Sequence, residues 1–564
     1  MARTVSIGTQ DFEELISRNN FYVDKTRFIR EWWESDDKVT LITRPRRFGK
    51  TLNMNMLERF FSVRYEGKGA VFEGLDIWQE KKYRELQGTY PVIFLSFANV
   101  KQRKPEDAIR KIKKIIWELY DQNHFLLEST VLNEAEKEQF QAVKQIMDDL
   151  TAQDAVSDLM KLLYHHYGKK TIVLLDEYDT PLQEAYVNGY WDEMVSFTRN
   201  LFNATFKTNP YLEQAVMTGI TRVSKESMFS DLNNLKVVTM SSNKYASCFG
   251  FTEEEVFSAM DEFGLTNKEE VKQWYDGFSI GNLKDIYNPW SITSMLDEGK
   301  LETYWANTSS NKLISNLVRE GESNIKMQFE TLLSGKTIRS RINEEMVFNQ
   351  MEDSEKAVWS LLLASGYLKI IEIREEEYEL ALTNYEVKRT FENMVRDWFG
   401  KKASDYNGFV RALLRGNLKE MNAYMNRLSF AMFSSFDGGN HPSEFTMPEK
   451  FYHGFVLGLL VELTGRYKVT SNRESGFGRY DVMLEPLGQE NNGIIKNGKK
   501  DDAIIMEFKV HDPEEESTLE ETVQAALCQI EEKKYEQTLL DSGIGRERIR
   551  KYGFAFEGKK VLIG

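Results

Sequence analysis

Runs of apolar residues in the first 250 residues alternate with segments of helical periodicity. Four runs, at residues 38–43, 90–97, 171–179 and 212–222, are typical of strands buried on both faces of a parallel sheet. The segment after residue 51 places its apolar residues at helical spacing, and helical patterns also separate the other runs. The pattern therefore predicts a parallel α/β core.

The middle of the chain changes pattern twice. Residues 251–345 read as amphipathic helices, which predicts a helical lid over the core. Residues 354–399 run helix, two alternating strands around an acidic turn, and helix, which is the order of a winged helix. Acidic residues at the hairpin tip disfavour insertion into DNA. We therefore interpret this segment as a winged-helix-like interdomain connector. The alternative is a winged helix that binds DNA.

The last third of the chain predicts a separate α/β domain. An apolar helix at residues 449–463 precedes strands at residues 467–474, 478–484 and 501–510. A chain of 564 residues is too long for one core. The predicted parts are residues 1–250, 251–345, 346–400 and 401–564.

The sequence RPRRFGKT joins the first predicted strand to its helix and ends like a phosphate-binding loop. Gly49 lets the backbone approach phosphates, Lys50 can reach the β and γ phosphates, and the Thr51 hydroxyl can bind Mg²⁺. Arg44 stands where the first glycine of such a loop is expected, so the turn must begin differently, through the fixed φ of Pro45. The alternative is a solvated basic turn.

Two acids end the third apolar run. Asp176 can hold Mg²⁺ together with Thr51, and Glu177 can orient and deprotonate the water that attacks ATP. The alternative is that this segment only starts a helix, with Thr180 as N-cap and Gln183 completing a capping box. That alternative leaves the two acids unexplained.

The fourth run adds two polar candidates. Thr218 ends the strand, where it can sense the γ phosphate, and Arg222 can approach the nucleotide of the same subunit or of a neighbour. An exposed arginine is also common as a plain surface charge. The predicted nucleotide-binding residues are Arg46, Arg47, Phe48, Gly49, Lys50, Thr51, Asp176, Thr218 and Arg222, with Glu177 as the catalytic base.

Three residues of the last domain predict a metal-dependent phosphodiesterase site. Glu507 and Lys509 are two apart on one strand, so their side chains share a face, and Asp481 joins them if the sheet folds as a hairpin and return. An Asp and a Glu offer oxygen ligands to Mg²⁺ or Mn²⁺, and a lysine beside them can position or activate water. Further candidates, which could equally be ordinary exposed polar residues, are Glu462, Glu474, Gln529 and Lys533.

Composition narrows the class of protein. A net charge of -15 argues against a protein that coats nucleic acid with its whole surface, although a local basic groove is compatible with it. Only two cysteines are present, Cys248 and Cys528, and neither a disulfide framework nor a zinc site is supported. We find no secretory signal and no membrane-spanning run, so we expect a cytoplasmic protein with no membrane partner.

Taken in order, the motifs YVDKT, RPRRFGKT, LLDEYD, TGITRVS, WYDGF and YNPWS resemble those of the bacterial predicted AAA-type ATPases fused to a C-terminal PD-(D/E)XK nuclease-like domain. In that family the arginine in place of the first glycine is itself a mark of the loop. The resemblance implies an AAA-type P-loop core and a restriction-endonuclease-like α/β domain, in which Tyr480 stands where the nuclease motif has proline. For YVDKT, WYDGF and YNPWS it implies no mechanism, and aromatic packing explains them equally well.

Two functional hypotheses follow. The first is an ATP-regulated nuclease that uses ATP and Mg²⁺ at one site and Mg²⁺ or Mn²⁺ at the other, acts on nucleic acid, with DNA favoured, and can assemble as a homo-oligomer. A role in bacterial defence or the control of mobile elements would suit it. The alternative is a nucleotide-dependent switch or sensor whose last domain binds a partner or nucleic acid without cutting it.

Overall fold

The computed structural model describes residues 2–221, 229, 232–305, 323–333, 335–342, 355–398, 403–433, 460, 463, 466–475, 478–487, 501–513, 516–557 and 560–564. The chain forms two compact units. The first comprises Met1–Gly321 and Thr331–Thr390, and the second comprises Glu322–Glu330 and Phe391–Gly564.

The first unit is built on a parallel sheet. Its strands are β1 (Val39–Thr43), β2 (Val92–Ser96), β3 (Thr171–Asp176), β4 (Leu212–Gly219) and β5 (Leu235–Val238), in the order β2-β3-β4-β1-β5. Every residue of β1 and β3 is buried, as expected for strands covered on both faces. The predicted parallel α/β core is confirmed, with β5 as an additional strand. Because β4 lies between β1 and β3, the carboxyl ends of these three strands meet at one edge.

Helices flank this sheet, and buried side chains of helices and strands form a core that is rich in aromatic residues. The helices of this part of the chain are α1 (Phe12–Ser17), α2 (Arg27–Trp33), α3 (Lys50–Phe61), α4 (Lys81–Leu86), α5 (Pro105–Asp121), α6 (Glu134–Ala142), α7 (Asp149–Tyr167), α8 (Thr180–Asn188) and α9 (Trp191–Phe206). Among the described residues, no helix has the length and apolar character needed to cross a bilayer.

The segment after the core contains helices, as predicted, together with a small antiparallel sheet. The helices are α10 (Glu253–Glu262), α11 (Lys268–Tyr275) and α12 (Pro289–Glu298), and the strands β6 (Phe251–Thr252), β7 (Phe278–Ile280) and β8 (Leu283–Tyr287) pair in the order β6-β8-β7. Gly281, at a φ of +55°, turns the chain between β7 and β8. A Cβ there would lie 2.2 Å from the side-chain oxygen of Asn243, so the close approach requires glycine.

The predicted helix, hairpin and helix of the connector are present. After α13 (Ser323–Leu333) and β9 (Ile338–Arg341), the chain forms α14 (Glu355–Ala364), β10 (Leu368–Arg374), β11 (Glu377–Leu382) and α15 (Tyr385–Trp398). The strands pair antiparallel in the order β10-β11-β9. The hairpin therefore gains a third strand that the sequence pattern did not indicate.

The second unit contains a mixed sheet flanked by helices. Its elements are α16 (Ala403–Arg415), α17 (Leu418–Phe433), β12 (Tyr467–Ser475), β13 (Gly478–Pro486), β14 (Ala503–Val510), α18 (Leu519–Glu532), α19 (Gln537–Asp541), β15 (Ile549–Glu557) and β16 (Lys560–Ile563). The strand order is β12-β13-β14-β15-β16, with β14 and β15 parallel and the other pairs antiparallel. Most of the helix predicted at residues 449–463 lies outside the described residues.

Candidate nucleotide and metal sites

The loop between β1 and α3 carries two positive backbone angles. Gly49 precedes the helix at a φ of +79°, and Arg47 adopts a φ of +64° although it has a side chain. A left-handed conformation costs a non-glycine residue about 1–2 kcal/mol, so the surrounding structure must hold Arg47 in place. Left-handed residues within a turn can direct neighbouring N–H groups toward one side, as they do in phosphate-binding loops.

Arg44, the residue in place of the first glycine, is fully buried behind the loop. Its guanidinium donates to the carbonyl oxygens of Thr43 at 2.9 Å, Thr239 at 2.8 Å and Lys244 at 3.3 Å. Burial lowers the pKa of Arg44 to about 10. The side chain thus connects the start of the loop to the segment that follows β5, in a way that glycine could not.

We expect Arg44→Gly to destabilise the first unit without raising ATP hydrolysis. The substitution leaves buried carbonyl groups without their donor, at a cost on the order of 3 kcal/mol in the free energy of unfolding. Denaturant unfolding and ATP turnover of the purified variant measure the two effects, and Arg46→Gly, which alters a partly exposed arginine of the same loop, is the stability control. Faster hydrolysis with unchanged unfolding would show instead that Arg44 is a lost glycine.

Lys50 lies inside the loop at the start of α3. Its ammonium donates to the carbonyl oxygens of Arg44 at 3.0 Å and Pro45 at 2.9 Å. Burial lowers its pKa, while the nearby carboxylates of Glu177 and Asp176 act in the opposite direction. The amine therefore sits within the curve of the loop, beside the acids that end β3.

Asp176 is the hub of the predicted nucleotide site. One of its carboxylate oxygens accepts from the Thr51 hydroxyl at 2.7 Å and the other from the Thr218 hydroxyl at 2.5 Å. The carboxyl group is buried, and burial raises its pKa. Residues from three separate parts of the chain are thus brought together at the shared strand edge.

Glu177 follows the buried strand in a left-handed conformation, with a φ of +51°. Its carboxylate accepts from the Thr180 hydroxyl at 3.0 Å. The capping-box alternative is wrong, because the N-cap of α8 is Asp179 and the Thr180 hydroxyl bonds to Glu177. Gln183 donates to Asp179 instead of returning to an N-cap backbone group.

Asp179 is a buried residue of this site that sequence reasoning assigned no role. Its Oδ2 accepts from the backbone N–H groups of Ile220 at 3.0 Å and Thr221 at 2.9 Å, and from the Thr221 hydroxyl at 2.8 Å. It therefore fixes the chain just beyond Thr218. The signal was its place as the third acid in LLDEYD, but its partners lie some forty residues away.

The remaining loop candidates face in different directions. Arg46 donates to the Gln183 side chain at 3.4 Å, and the Arg47 guanidinium lies 4.0 Å above the Trp290 ring. Phe48 is buried and packs on Phe278 with ring centres 4.9 Å apart, so its backbone alone can face a nucleotide. Arg222 lies outside the described residues.

In the second unit, Asp481 and Glu507 lie side by side on neighbouring strands. The β13–β14 ladder pairs Val482 with Met506, one residue from each acid. The Asp481 carboxylate accepts from the N–H of Phe508 at 2.8 Å, and the Glu507 carboxylate accepts from the N–H of Asp481 at 3.3 Å. The hairpin and return are confirmed, and by strand alternation Lys509 lies on the same face as Glu507.

Helix α18 adds a hydrogen-bonding partner to this pair. The Gln529 amide donates to Glu507 and to the Tyr535 hydroxyl, the latter at 3.1 Å. Tyr535 is buried, and burial raises its pKa, with Glu507 and Asp481 adding to the shift. The sequence predicts Gln529 as a candidate, but Tyr535, six residues later, has no spacing that would indicate it.

Of the other candidates of this domain, Lys533 alone has a described side chain. Lys533 is exposed at the end of α18. Glu462 and the side chains of Glu474 and Tyr480 lie outside the described part of the chain. Asp481 and Glu507, with Lys509 on the same face, thus form the metal-site candidate in this unit.

Two regions of the chain match known families. Residues 6–229 match the family described as Predicted AAA-ATPase, and residues 447–564 match the PD-(D/E)XK nuclease superfamily. The chain combines an AAA-ATPase-like region with a PD-(D/E)XK nuclease-like region. Lys50 and Asp176 fall in the AAA-ATPase-like region, and Asp481 and Glu507 fall in the PD-(D/E)XK region. Families of these two kinds generally use a nucleotide and divalent metal ions.

A curated relative shares much of this length. The chain is 24% identical over 393 residues to an uncharacterized protein in the vnfD 5'region of Azotobacter chroococcum mcd 1, and the match covers 68% of each protein. The description of that relative names no activity, so the functional argument rests on the sites.

Proposed function

We propose that the AAA-ATPase-like region binds and hydrolyses ATP and that the PD-(D/E)XK region cleaves phosphodiester bonds of nucleic acid, with DNA as the favoured substrate. The observation that carries the proposal is that each region brings together the polar groups its reaction needs. Thr51 and Thr218 meet on Asp176 in one region, and Asp481 and Glu507 meet across two strands in the other.

At the nucleotide site, different residues bind the phosphates, hold Mg²⁺ and accept a proton from water. The positive charge of Lys50 and the backbone N–H groups of its loop bind the phosphates. A hydroxyl and a carboxylate in contact are a fitting oxygen donor set for Mg²⁺, so Thr51 and Asp176 would hold it, and Mg²⁺ when bound neutralises charge on the phosphates. Glu177 accepts the proton of the attacking water, while Thr180 holds its carboxylate.

At the acidic site, hard carboxylate oxygens fit Mg²⁺ or Mn²⁺ and would hold either ion through Asp481 and Glu507. Such an ion activates water and stabilises the charge that develops on the phosphate. Backbone N–H groups and Gln529 orient the two carboxylates. Lys509, with its positive charge on the same strand face, positions the water or the phosphate.

The test uses the purified full chain with plasmid DNA, linear DNA and RNA in Mg²⁺ or Mn²⁺, with and without ATP. We expect cutting that EDTA abolishes, ATP hydrolysis, and a cutting rate that changes when ATP is present. A protein that hydrolyses ATP but cuts none of these substrates with either metal would be a nucleotide-dependent switch, and the nuclease proposal would fall.

A further inference from the structure

The carbonyl oxygen of Arg46 lies in the middle of the RPRRFGKT loop, called the phosphate loop from here on. It accepts hydrogen bonds from two side chains that belong to distant segments of the chain. Asn288 Nδ2 donates to it at 3.2 Å and Trp305 Nε1 at 3.0 Å. These donors follow Arg46 in the chain by 242 and 259 residues, and both are buried. The loop is thus fixed from outside its own strand-loop-helix unit.

The amide of Asn288 is oriented by a second hydrogen bond. Its oxygen caps α12 by accepting from the N–H of Trp290 at 2.9 Å, which leaves the NH₂ group directed at Arg46. The Trp290 ring lies under the Arg47 guanidinium at 4.0 Å. The start of α12 therefore contacts two successive residues of the loop.

Trp305 is held through its backbone and its ring. Its N–H donates to Glu386 Oε1 at 2.7 Å, and its ring packs on Tyr367 and Phe278 with centres 5.0 Å and 5.8 Å away. Phe278 in turn covers Phe48 of the loop, with ring centres 4.9 Å apart. The indole can therefore shift only if these neighbours shift.

Glu386 joins the segments that supply the two donors. Besides Trp305, it accepts from the N–H of Tyr304 at 2.6 Å and from the Ser291 hydroxyl of α12 at 2.8 Å. The carboxyl is buried at the first turn of α15, and burial raises its pKa to about 7. One side chain of the connector thus holds both α12 and the Trp305 segment.

We propose that Asn288 and Trp305 are positioning residues that set the shape of the phosphate loop, and that Glu386 holds them in place. This inference rests on the proposed nucleotide site. In a planar trans peptide the C=O and N–H groups point in opposite directions, so fixing the Arg46 oxygen also fixes the N–H of Arg47. The same two bonds help to keep Arg47 in its left-handed conformation, which nucleotide binding would otherwise have to impose.

The proposal gives a role to motifs that had none. YNPWS supplies Asn288, Trp290 and Ser291, and WYDGF supplies Phe278. The glycine of WYDGF, Gly277, has a φ of +130°, and a Cβ there would lie 1.9 Å from the carbonyl oxygen of Thr383. The connector therefore packs closely against the motif that covers the loop.

The test compares ATP affinity among single variants of the full chain, measured with a fluorescent ATP analogue. Trp305→Phe keeps an aromatic ring beside Tyr367 and Phe278 but removes the N–H donor, and we expect the Kd for ATP to rise about tenfold. Asn288→Ser retains a good N-cap and removes the amide donor, with a similar expected loss. Trp33→Phe, the same substitution in a ring that packs on Phe61 and Tyr90, should leave the Kd within about twofold.

Two variants of Glu386 separate positioning from general stability. Glu386→Gln keeps an acceptor for the N–H groups of Tyr304 and Trp305 and should bind ATP nearly as the parent does. Glu386→Ala removes that acceptor and should match or exceed the loss of Trp305→Phe. Thermal unfolding of every variant without nucleotide shows whether each is folded, and Asn288→Ser serves if the alanine variant is not.

The outcomes are distinguishable. If the parent binds ATP and Trp305→Phe and Asn288→Ser bind it equally well, the positioning role is wrong while the nucleotide site stands. If the parent and Lys50→Ala both fail to bind ATP, the proposed function of the AAA-ATPase-like region and this inference fall together.

Discussion

Asp481→Asn and Glu507→Gln are each expected to abolish nucleic-acid cleavage and to leave ATP hydrolysis largely intact. Both substitutions keep the size of the side chain, so the bonds to Phe508 and Asp481 can persist, but each removes a negatively charged metal ligand. A catalytic metal ion contributes several kcal/mol to the reaction. A loss of about 4 kcal/mol corresponds to a rate reduced about a thousandfold.

Cleavage of linear DNA would be measured on each purified variant, and Mn²⁺ binding would be measured by calorimetry on the same preparations. Lys509→Ala should also lose cleavage but keep Mn²⁺ binding, because lysine supplies charge and no ligand oxygen. Asp541→Asn, an exposed acid on α19, is the matched control and should cut at the parental rate. If Asp481→Asn and Glu507→Gln cut as fast as the parent, the acids have no catalytic role and the switch protein becomes the better account.

Lys50→Ala and Glu177→Gln are expected to damage ATP turnover in different ways. Lys50→Ala removes the buried charge at the centre of the loop, so ATP affinity should fall about a hundredfold. Glu177→Gln should bind ATP as the parent does but hydrolyse it 10²–10⁴-fold more slowly, roughly the contribution of a general base. Equilibrium binding and single-turnover hydrolysis separate the two effects.

Lys38→Ala is the matched control for the lysine variant. Lys38 is an exposed residue directly before the first residue of β1, whereas the loop follows the last residue of that strand. Its ammonium donates to the Glu213 carbonyl oxygen, and its loss should change neither ATP binding nor ATP turnover. Parental rates of hydrolysis in both Lys50→Ala and Glu177→Gln would contradict the assignment. The rate of DNA cleavage by Lys50→Ala is also informative. A lower rate than the parent's would show that ATP activates cleavage, and a higher rate would show that ATP restrains it.

Strands that are continuous apolar runs could be predicted from the sequence, and shorter ones could not. β1 and β3 are wholly buried, and their continuous apolar runs in the sequence predict buried strands at these positions. β5 has four residues and is only partly buried, so its strand character depends on pairing with β1 and on the Arg44 side chain that reaches the chain beyond it. The β7–β8 hairpin was hidden within a segment whose dominant pattern was helical.

The same distinction applies to the sites. Lys50, Thr51 and Asp176 belong to motifs whose spacing predicts a shared site, and the structure brings them together. Trp305 and Glu386 act through hydrogen bonds to backbone groups more than eighty residues away, and no local spacing encodes such bonds. Their burial and partners become visible only once the chain is folded.

The dependence of the Arg46 carbonyl on Asn288 and Trp305 has a practical consequence for dividing the gene into expressible pieces. A fragment limited to residues 6–229, the part that matches the ATPase family, would lack both donors and would leave Phe48 without the Phe278 ring that covers it. Such a truncation exposes an apolar side chain and frees the loop at the same time. The smallest fragment that binds ATP as proposed should therefore extend past Glu386, well beyond residue 229, where the family match ends.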